Sequence, residues 1–178
     1  FESFELWMIQ FSNQVGFTIP IERPIIKKKK YKKVDFEVLE RTQLNIDDTF
    51  LLRLQPKSKV VFTSGDLLAV FPNGDVMVRQ YSIARIGDDI LLSIKKHELG
   101  RGSNFLFGLK VGETIKAALD INEHFHLPEN GKNVILISNG TGIAPFLGMI
   151  SKNTTQNISL FWGGRKKASM TIYNSVLE

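Results

Sequence analysis

The chain of 178 residues is 43% hydrophobic and 23% charged, with a formal net charge of +5. This balance is that of an ordinary globular protein, and the length suits one large domain or two small ones. The absence of cysteine excludes disulfides, thiolate metal sites and iron–sulfur clusters from this stretch. No uninterrupted apolar run approaches about 18 residues, so we expect no membrane-spanning helix.

The first 25 residues form an element of their own. Their apolar residues recur at spacings compatible with a helix, and Pro20 and Pro24 end any regular structure. Six lysines then fall between Lys27 and Lys33. Such a run is typical of a solvated linker, of a docking patch for an acidic partner, or of a contact with nucleic acid or an anionic membrane. We expect the linker first, the docking patch second and nucleic acid or membrane last.

Short strand patterns occupy residues 34–128. Apolar runs predict five strands, at Val34–Glu40, Thr49–Leu54, Asp66–Phe71, Val76–Ala84 and Ile90–Lys95. The last two are joined by Gly87-Asp88-Asp89, a tight-turn composition. Strands at such short spacing predict an antiparallel β-barrel. A short helix is predicted from Ser103 to Leu109, with Ser103 as its cap.

The pattern changes again after Pro128. Asn133–Ser138 is a continuous apolar run, as in strands of parallel sheets that are covered on both faces. A glycine-rich turn, a helix from about Ala144 to Lys152 and a second strand at Ile158–Trp162 follow. This series opens a nucleotide-binding α/β sheet. Two strands do not complete such a sheet, so we expect further strands and helices beyond Glu178.

Three motifs carry chemistry. They are Arg79-Gln80-Tyr81-Ser82, Gly100-Arg101-Gly102-Ser103-Asn104-Phe105-Leu106, and Asn139-Gly140-Thr141-Gly142-Ile143-Ala144-Pro145-Phe146. An arginine makes forked contacts with phosphate that a lysine does not reproduce. A glycine turn that opens a helix offers backbone N–H groups to phosphate. The third motif allows a sharp turn, but it matches neither the usual Rossmann fingerprint nor a P-loop.

In this order the motifs resemble the ferredoxin–NADP reductase superfamily, especially the FAD/NADPH half of cytochrome P450 reductase and sulfite reductase flavoprotein. The resemblance runs from about Lys33 to the last residue. It implies a Greek-key antiparallel β-barrel that binds FAD at 34–128, and the first part of an NAD(P)-binding α/β domain at 129–178. Residues 1–33 would then be an N-terminal arm with a basic linker, or the end of an upstream flavodoxin-like domain.

The resemblance assigns FAD-binding roles to residues of the barrel. Arg79 would contact the pyrophosphate, Tyr81 would lie flat against the isoalloxazine ring, and Ser82 would act as the catalytic residue, with its hydroxyl beside flavin N5. The rest of the implied FAD set is Gln80 in the same strand, Leu92, Ser93 and Ile94 through backbone atoms on the adenosine side, and Gly100, Arg101, Gly102 and Ser103 at the pyrophosphate.

The nucleotide half carries a second implied set. Gly140, Thr141 and Gly142 would face NADP or NAD, with Thr141 at a phosphate or ribose. Phe161-Trp162-Gly163-Gly164-Arg165 matches the family's aromatic-aromatic-Gly-x-Arg segment. Arg165 would meet the 2′-phosphate of NADPH or anchor the strand end. Gly164 stands where relatives often have cysteine, and we expect little consequence.

Two of the three histidines fall in a segment that joins the two halves. Phe125-His126-Leu127-Pro128 resembles the family's domain-joining segment. His124 and His126 would share one face of a strand, but three histidines are too few and too dispersed for a metal site.

The resemblance implies an NAD(P)H-dependent flavoprotein reductase. Hydride would pass from nicotinamide C4 to flavin N5, and electrons would then pass singly to an FMN or flavodoxin-like domain or to ferredoxin. One alternative is an FAD-binding electron-transfer subunit without NAD(P)H turnover of its own. The other is a basic nucleic-acid or membrane-surface module, which leaves the three motifs unexplained. We expect a cytoplasmic protein, or the cytosolic part of a larger membrane-attached one, and this stretch alone could be inactive.

Overall fold

A computed structural model describes residues 2–16, 29–72 and 77–177. Contacts divide the chain into two compact units, residues 1–30 and residues 31–178. No helix within the described residues has the length and apolarity needed to cross a membrane.

The first unit contains helix α1, at Glu2–Val15. This helix lies where the apolar spacing predicts one. Trp7 and Phe11, four positions apart on one helical face, stack with their ring centroids 5.5 Å apart. The predicted breaks at Pro20 and Pro24, and the first two lysines of the basic run, lie outside the described residues.

The second unit begins with a seven-stranded antiparallel sheet. Its strands are β1 (Val34–Arg41), β2 (Thr49–Pro56), β3 (Leu67–Val70), β4 (Arg79–Ser82), β5 (Ala84–Ile86), β6 (Asp89–Lys95) and β7 (Thr114–Asp120). Their spatial order is β4-β3-β7-β1-β2-β6-β5. Alternate apolar side chains such as Phe36, Leu52 and Leu92 are fully buried and fill the interior. The predicted antiparallel barrel is confirmed.

The barrel closes at Ile83, and there the prediction of one strand over Val76–Ala84 is wrong. β4 and β5 are separate strands at opposite edges of the sheet, and Ile83 alone separates them in the chain. Because the two edges are joined through one residue, the sheet is curved into a nearly closed barrel. The Ile83 N–H donates to the Asp66 carbonyl at 2.9 Å, and the Ile83 carbonyl accepts from the Gly65 N–H at 3.0 Å.

Helix α2 spans Arg101–Gly108 and begins before the predicted Ser103. Gly100 is the N-cap residue, so the prediction of Ser103 as the cap is wrong. Ser103 lies inside the first turn and is 6% exposed. Its hydroxyl donates to the Gly100 carbonyl at 3.2 Å and accepts from the His97 N–H at 3.1 Å. The side chain therefore orders the turn that precedes the helix.

A small α/β part follows the barrel. β8 (Asn133–Asn139) and β9 (Asn157–Gly163) pair in parallel, joined by a 3₁₀ turn at Gly140–Ile143 and by helix α3 (Ala144–Lys152). Their order and type agree with the predictions. Leu136 of β8 packs with Phe146 and Met149 of α3.

Only one face of this strand pair is covered among the described residues. Ile135, Ile137 and Phe161 are 66%, 73% and 60% exposed. The described residues therefore supply the expected cover on one face only.

Two shorter segments connect the α/β part to the barrel. Glu123–Phe125 forms a 3₁₀ turn, so His124 and His126 do not share a strand face as expected. After β9, a 3₁₀ segment at Lys167–Tyr173 leads into helix α4 (Asn174–Leu177). Tyr173 is 1% exposed and belongs to an apolar cluster that includes barrel and α3 residues.

Gly148 determines how closely α3 approaches the barrel. A Cβ at this position would lie 2.7 Å from the Arg85 nitrogen and 2.8 Å from its carbonyl oxygen. We expect Gly148→Ala to lower the free energy of unfolding by about 1–3 kcal/mol, because the helix must move away from β5. Urea denaturation followed by circular dichroism measures the change.

Gly108→Ala in α2 is the matched control. No atom lies within 4 Å of the added Cβ, and alanine favours the helix by up to about 1 kcal/mol over glycine. Equal destabilisation by the two substitutions would contradict the packing described for Gly148.

Candidate functional site

The first and second motifs meet in space. Gly102, in the first turn of α2, has Tyr81 and Arg79 of β4 as its neighbours. A Cβ at Gly102 would lie 2.5 Å from the Tyr81 hydroxyl oxygen and 3.0 Å from Arg79 Cγ. The start of the helix therefore lies against both side chains with no side chain of its own between them.

Positive charge converges at this junction. The first N–H groups of a helix have no intrahelical partner and form the positive end of its dipole. The Arg79 guanidinium is held loosely, since its Nη1 donates to the Met77 and Val78 carbonyls at 3.3 Å. Its remaining N–H groups can turn toward an anion. The arrangement is suited to a phosphate or pyrophosphate.

Tyr81 supplies a neutral aromatic surface beside this charge. Burial raises the pKa of its hydroxyl above the ordinary value of 10.0, and the positive charge of Arg79 lowers it to a smaller extent. The phenol therefore keeps its proton at neutral pH. It can donate a hydrogen bond while its ring packs against a planar group.

Gln80 and Ser82 lie on the other side of β4. Both are exposed, whereas Arg79 and Tyr81 are half-buried, as the alternation of a strand requires. Gln80 Nε2 donates to Asp120 Oδ2 at 2.8 Å. The structure brings Arg79 and Tyr81 together with α2, but it does not place the Ser82 hydroxyl on the same face.

The predicted contacts of β6 can be made by backbone atoms alone. Leu92 and Ile94 are 0% and 2% exposed and lie in the barrel core. The Ser93 side chain points the other way, and its hydroxyl is 2.8 Å from the Tyr173 hydroxyl. β5 pairs with β6 only as far as Leu91. From Leu92 to Lys95, β2 alone among the described strands pairs with β6.

A cleft of about 890 Å³ opens at the carboxyl ends of β8 and β9. Gly140 and Thr141 of the turn line it, together with exposed Arg165. Gly140 has φ +52°, a left-handed conformation that lets the chain leave β8 sharply. Gly142, in contrast, has an ordinary φ, and a Cβ added there would have no atom within 4 Å. The glycine turn of the third motif thus faces open space, whereas its last four residues, Ile143 to Phe146, are buried.

The opposite wall of the cleft comes from the barrel and was missed by the sequence reasoning. It contains Asn45, Asp47, Thr49 and Lys95. Asn45 Oδ1 accepts from the N–H groups of Asp47 at 2.9 Å and Thr49 at 3.0 Å. This is an asparagine-capped turn, and the run Asn45-Ile46-Asp47-Asp48 before a strand was a signal for it. Its position opposite β8 was not readable from sequence.

Two hydroxyls beside the cleft have no hydrogen-bond partner among the described residues. They belong to Ser138 at the end of β8 and to Ser169, which is 2% exposed. Buried hydroxyls are normally paired, so a water molecule or ligand group is expected to reach them.

Known structures share the fold of the second unit, although no family model matches the chain. Ferredoxin–NADP⁺ reductase from Plasmodium falciparum aligns with a TM-score of 0.71 and 21% identity, over 82% of this chain and 64% of that one. The chain has the fold of the ferredoxin–NADP reductase-like flavoprotein reductases. The ferredoxin reductase in carbazole 1,9a-dioxygenase gives a TM-score of 0.70 and 21% identity, over 90% of this chain and 51% of the other.

Curated proteins with similar sequences have related names. The sulfite reductase [NADPH] flavoprotein alpha-component of Baumannia cicadellinicola is 30% identical over 116 residues, which is 55% of this chain and 20% of that protein. Terephthalate 1,2-dioxygenase reductase component 1 of a Comamonas species is 26% identical over 167 residues, 85% of this chain and 49% of that protein. The chain thus spans about half or less of these relatives. The resemblance drawn from the three motifs is confirmed for the fold.

Tyr173, which lines the cleft, makes the stability of the fold depend on pH in the alkaline range. Burial raises the pKa of its hydroxyl above 10.0; the hydrogen bond with Ser93 opposes this and the charge of Asp47 adds to it. The unfolded chain loses this proton first. The stability contributed by Tyr173 is therefore complete below about pH 10 and is lost as pH rises through the higher pKa of the folded state.

We expect Tyr173→Phe to remove this part of the pH dependence. At about pH 9 the variant should be less stable by about 1 kcal/mol, because the bond to Ser93 is gone. Between about pH 9 and about pH 11 it should then lose less stability than the wild type. Urea denaturation at both pH values measures this, and equal losses in the two proteins would contradict it.

Proposed function

We propose that the chain binds FAD between β4 and the first turn of α2, and binds NADP or NAD in the cleft at the carboxyl ends of β8 and β9. It would act as the FAD- and nucleotide-binding part of an NAD(P)H-dependent flavoprotein reductase. The observation that carries this proposal is the approach of Gly102 to Tyr81 and Arg79. One junction thereby combines an aromatic face, a guanidinium and the N–H groups of a helix start.

The residues at this junction fit FAD in three ways. Arg79 and the helix N–H groups suit the pyrophosphate, neutral Tyr81 suits a planar ring, and Gly102 leaves open the space that a Cβ would fill. Ser103 fits less directly, since its hydroxyl already bonds His97 and Gly100. We propose that Ser103 orders the turn and that the backbone N–H groups contact the phosphates.

The nucleotide cleft has matching features on both walls. Thr141 offers a hydroxyl and a backbone N–H at a helix-opening turn, and Arg165 supplies a cation at the end of β9. Lys95 supplies a second cation from the barrel wall. Asp47 also lines the cleft, so its charged side chains are two cations and one carboxylate, and their net positive charge favours a ligand that carries phosphates. This supports a pyridine nucleotide over the alternative of an FAD-binding subunit that uses none.

Bound FAD supplies the conversion of one hydride into two single electrons. The residues described would position the groups that react. Arg79 would neutralise the pyrophosphate, and Tyr81 would cover one face of the ring and keep water from it. Ser82 is exposed at the end of β4, on the other face of the strand from Tyr81, so its hydroxyl would orient and polarise the hydride-accepting edge of the ring only where that edge extends past the end of the strand.

The electrons would leave to a separate redox partner. Similar proteins are named as a sulfite reductase flavoprotein, a dioxygenase reductase component and a ferredoxin–NADP⁺ reductase. These names support a protein acceptor. We propose an FMN or flavodoxin-like domain, or ferredoxin, with the lysine run at 27–33 as linker or docking patch.

Arg79→Ala should weaken FAD binding strongly, because the forked contact to the pyrophosphate is lost. Charge-assisted bonds of this kind contribute about 1.5–3 kcal/mol, so the dissociation constant should rise roughly tenfold or more. Arg79→Lys keeps the charge but not the fork and should give an intermediate value. Flavin fluorescence during titration of the apoprotein measures both.

Arg53→Lys is the control for Arg79→Lys. Arg53 lies on β2 and pairs with Asp89 at 2.8 Å, away from β4 in the strand order. It should bind FAD as the wild type does. Unchanged FAD affinity in Arg79→Ala would contradict the proposed pyrophosphate contact.

Arg165→Ala distinguishes the two roles considered for this residue. If Arg165 meets the 2′-phosphate, the KM for NADPH should rise roughly tenfold while that for NADH changes little. Equal changes for both nucleotides would indicate an anchor of the strand end. Flavin bleaching and acceptor reduction are measured with both nucleotides. Lys132→Ala, an exposed cation before the amino end of β8, is the control.

A further inference from the structure

Trp162 connects the end of β9 to the turn that follows β8. Its indole Nε1–H donates to the Gly140 carbonyl at 2.9 Å. Gly140 is the left-handed residue at which the chain leaves β8 for the 3₁₀ turn and α3. The bond therefore holds the first peptide of the turn from the neighbouring strand. No other described side chain bonds this carbonyl.

The indole ring of Trp162 packs against Gly164. A Cβ at position 164 would overlap Cη2 and Cζ3 of Trp162 and would lie 2.9 Å from Cζ2. This contact argues against the expectation that glycine here has little consequence. Any larger residue at 164, cysteine included, requires the indole to move from its present position, and its bond to Gly140 would break.

A second residue also packs against the ring. Tyr173 meets Trp162 edge to face, with the centroids 6.1 Å apart and an interplanar angle of 67°. The Tyr173 hydroxyl is held in turn by Ser93 at 2.8 Å. The indole thus packs against both the backbone of Gly164 and a buried tyrosine. Its orientation is set by packing before any ligand arrives.

We propose that Trp162 is a positioning residue for the nucleotide cleft, and that glycine is required at position 164 to leave room for its indole ring. This inference rests on the proposed function of the cleft as a pyridine-nucleotide site. Trp162 fixes the Gly140 peptide, which sets the direction of the turn N–H groups and of Thr141. Trp162 and Gly164 form a size-matched pair, because the ring occupies the space that a side chain at 164 would need.

The first experiment needs no nucleotide. In the full chain with Trp7→Phe, Trp162 is the remaining one of two tryptophans, so one indole N–H signal appears by ¹⁵N NMR. Gly164→Ala should shift this signal and speed its exchange with water about fivefold, as loss of one hydrogen bond allows. Gly163→Ala is the matched control, because its Cβ would meet its nearest neighbour at 3.7 Å. Equal exchange in the two variants would overturn the role of Gly164.

The second experiment measures the dissociation constants of NADPH and NADH with the FAD-loaded chain. Trp162→Phe keeps a ring but lacks the N–H, and Gly164→Ala displaces the ring. Each should weaken nucleotide binding about fivefold, while FAD affinity stays at the wild-type value. A parallel loss of FAD affinity and thermal stability would indicate a merely structural role and would overturn the proposal.

The double variant Trp162→Phe/Gly164→Ala tests the size matching. The smaller ring leaves room for the added methyl group, so the double variant should bind nucleotide about as tightly as Trp162→Phe alone. Additive losses would overturn the pairing. If the wild-type chain binds neither nucleotide, the proposed function of the cleft fails, and the positioning role fails with it. The exchange rate of the indole N–H with water would still show whether Gly164 holds the ring in position.

Discussion

The architecture depends on the closure of the barrel at Ile83. This one residue ends the edge strand β4 and begins the opposite edge strand β5, and both of its backbone groups are bonded to Gly65 and Asp66. The position of β4 follows from this closure. Since Arg79 and Tyr81 reach α2 only from that edge, the candidate flavin junction depends on a bend that contains none of its own residues.

Asp66 extends this constraint to the rest of the second unit. Its side chain is 3% exposed, and it accepts hydrogen bonds from the backbone of Thr63 at 2.8 Å and Asn122 at 2.9 Å. The same carboxylate lies 2.7 Å from His126 Nε2. One buried group thus joins the barrel closure, the exit from β7 and the segment that leads to the α/β part.

The sequence predicted the elements that depend on neighbouring residues. It failed for features that depend on contacts between residues distant in the chain. The segments at β1, β2, β6, β8 and β9 were readable because each is an apolar or alternating run of strand length. The division of β4 from β5 was not, because apolar character continues through Ile83 and only pairing with different neighbours separates them. β7 was missed, since alanines weaken its pattern.

The site shows the same limit. The motifs identified Arg79, Tyr81 and Gly102, and the structure brings these together. Sequence placed Ser103 at the cap, but the hydrogen bonds from His97 and to Gly100 that occupy it involve backbone positions fixed only on folding. The start of α2 meets Tyr81 and Arg79 without an intervening side chain. The distance between the anion site and the face of the Tyr81 ring is therefore set by the backbone. The conformational entropy of ordering these groups is lost when the protein folds, and not when a ligand binds.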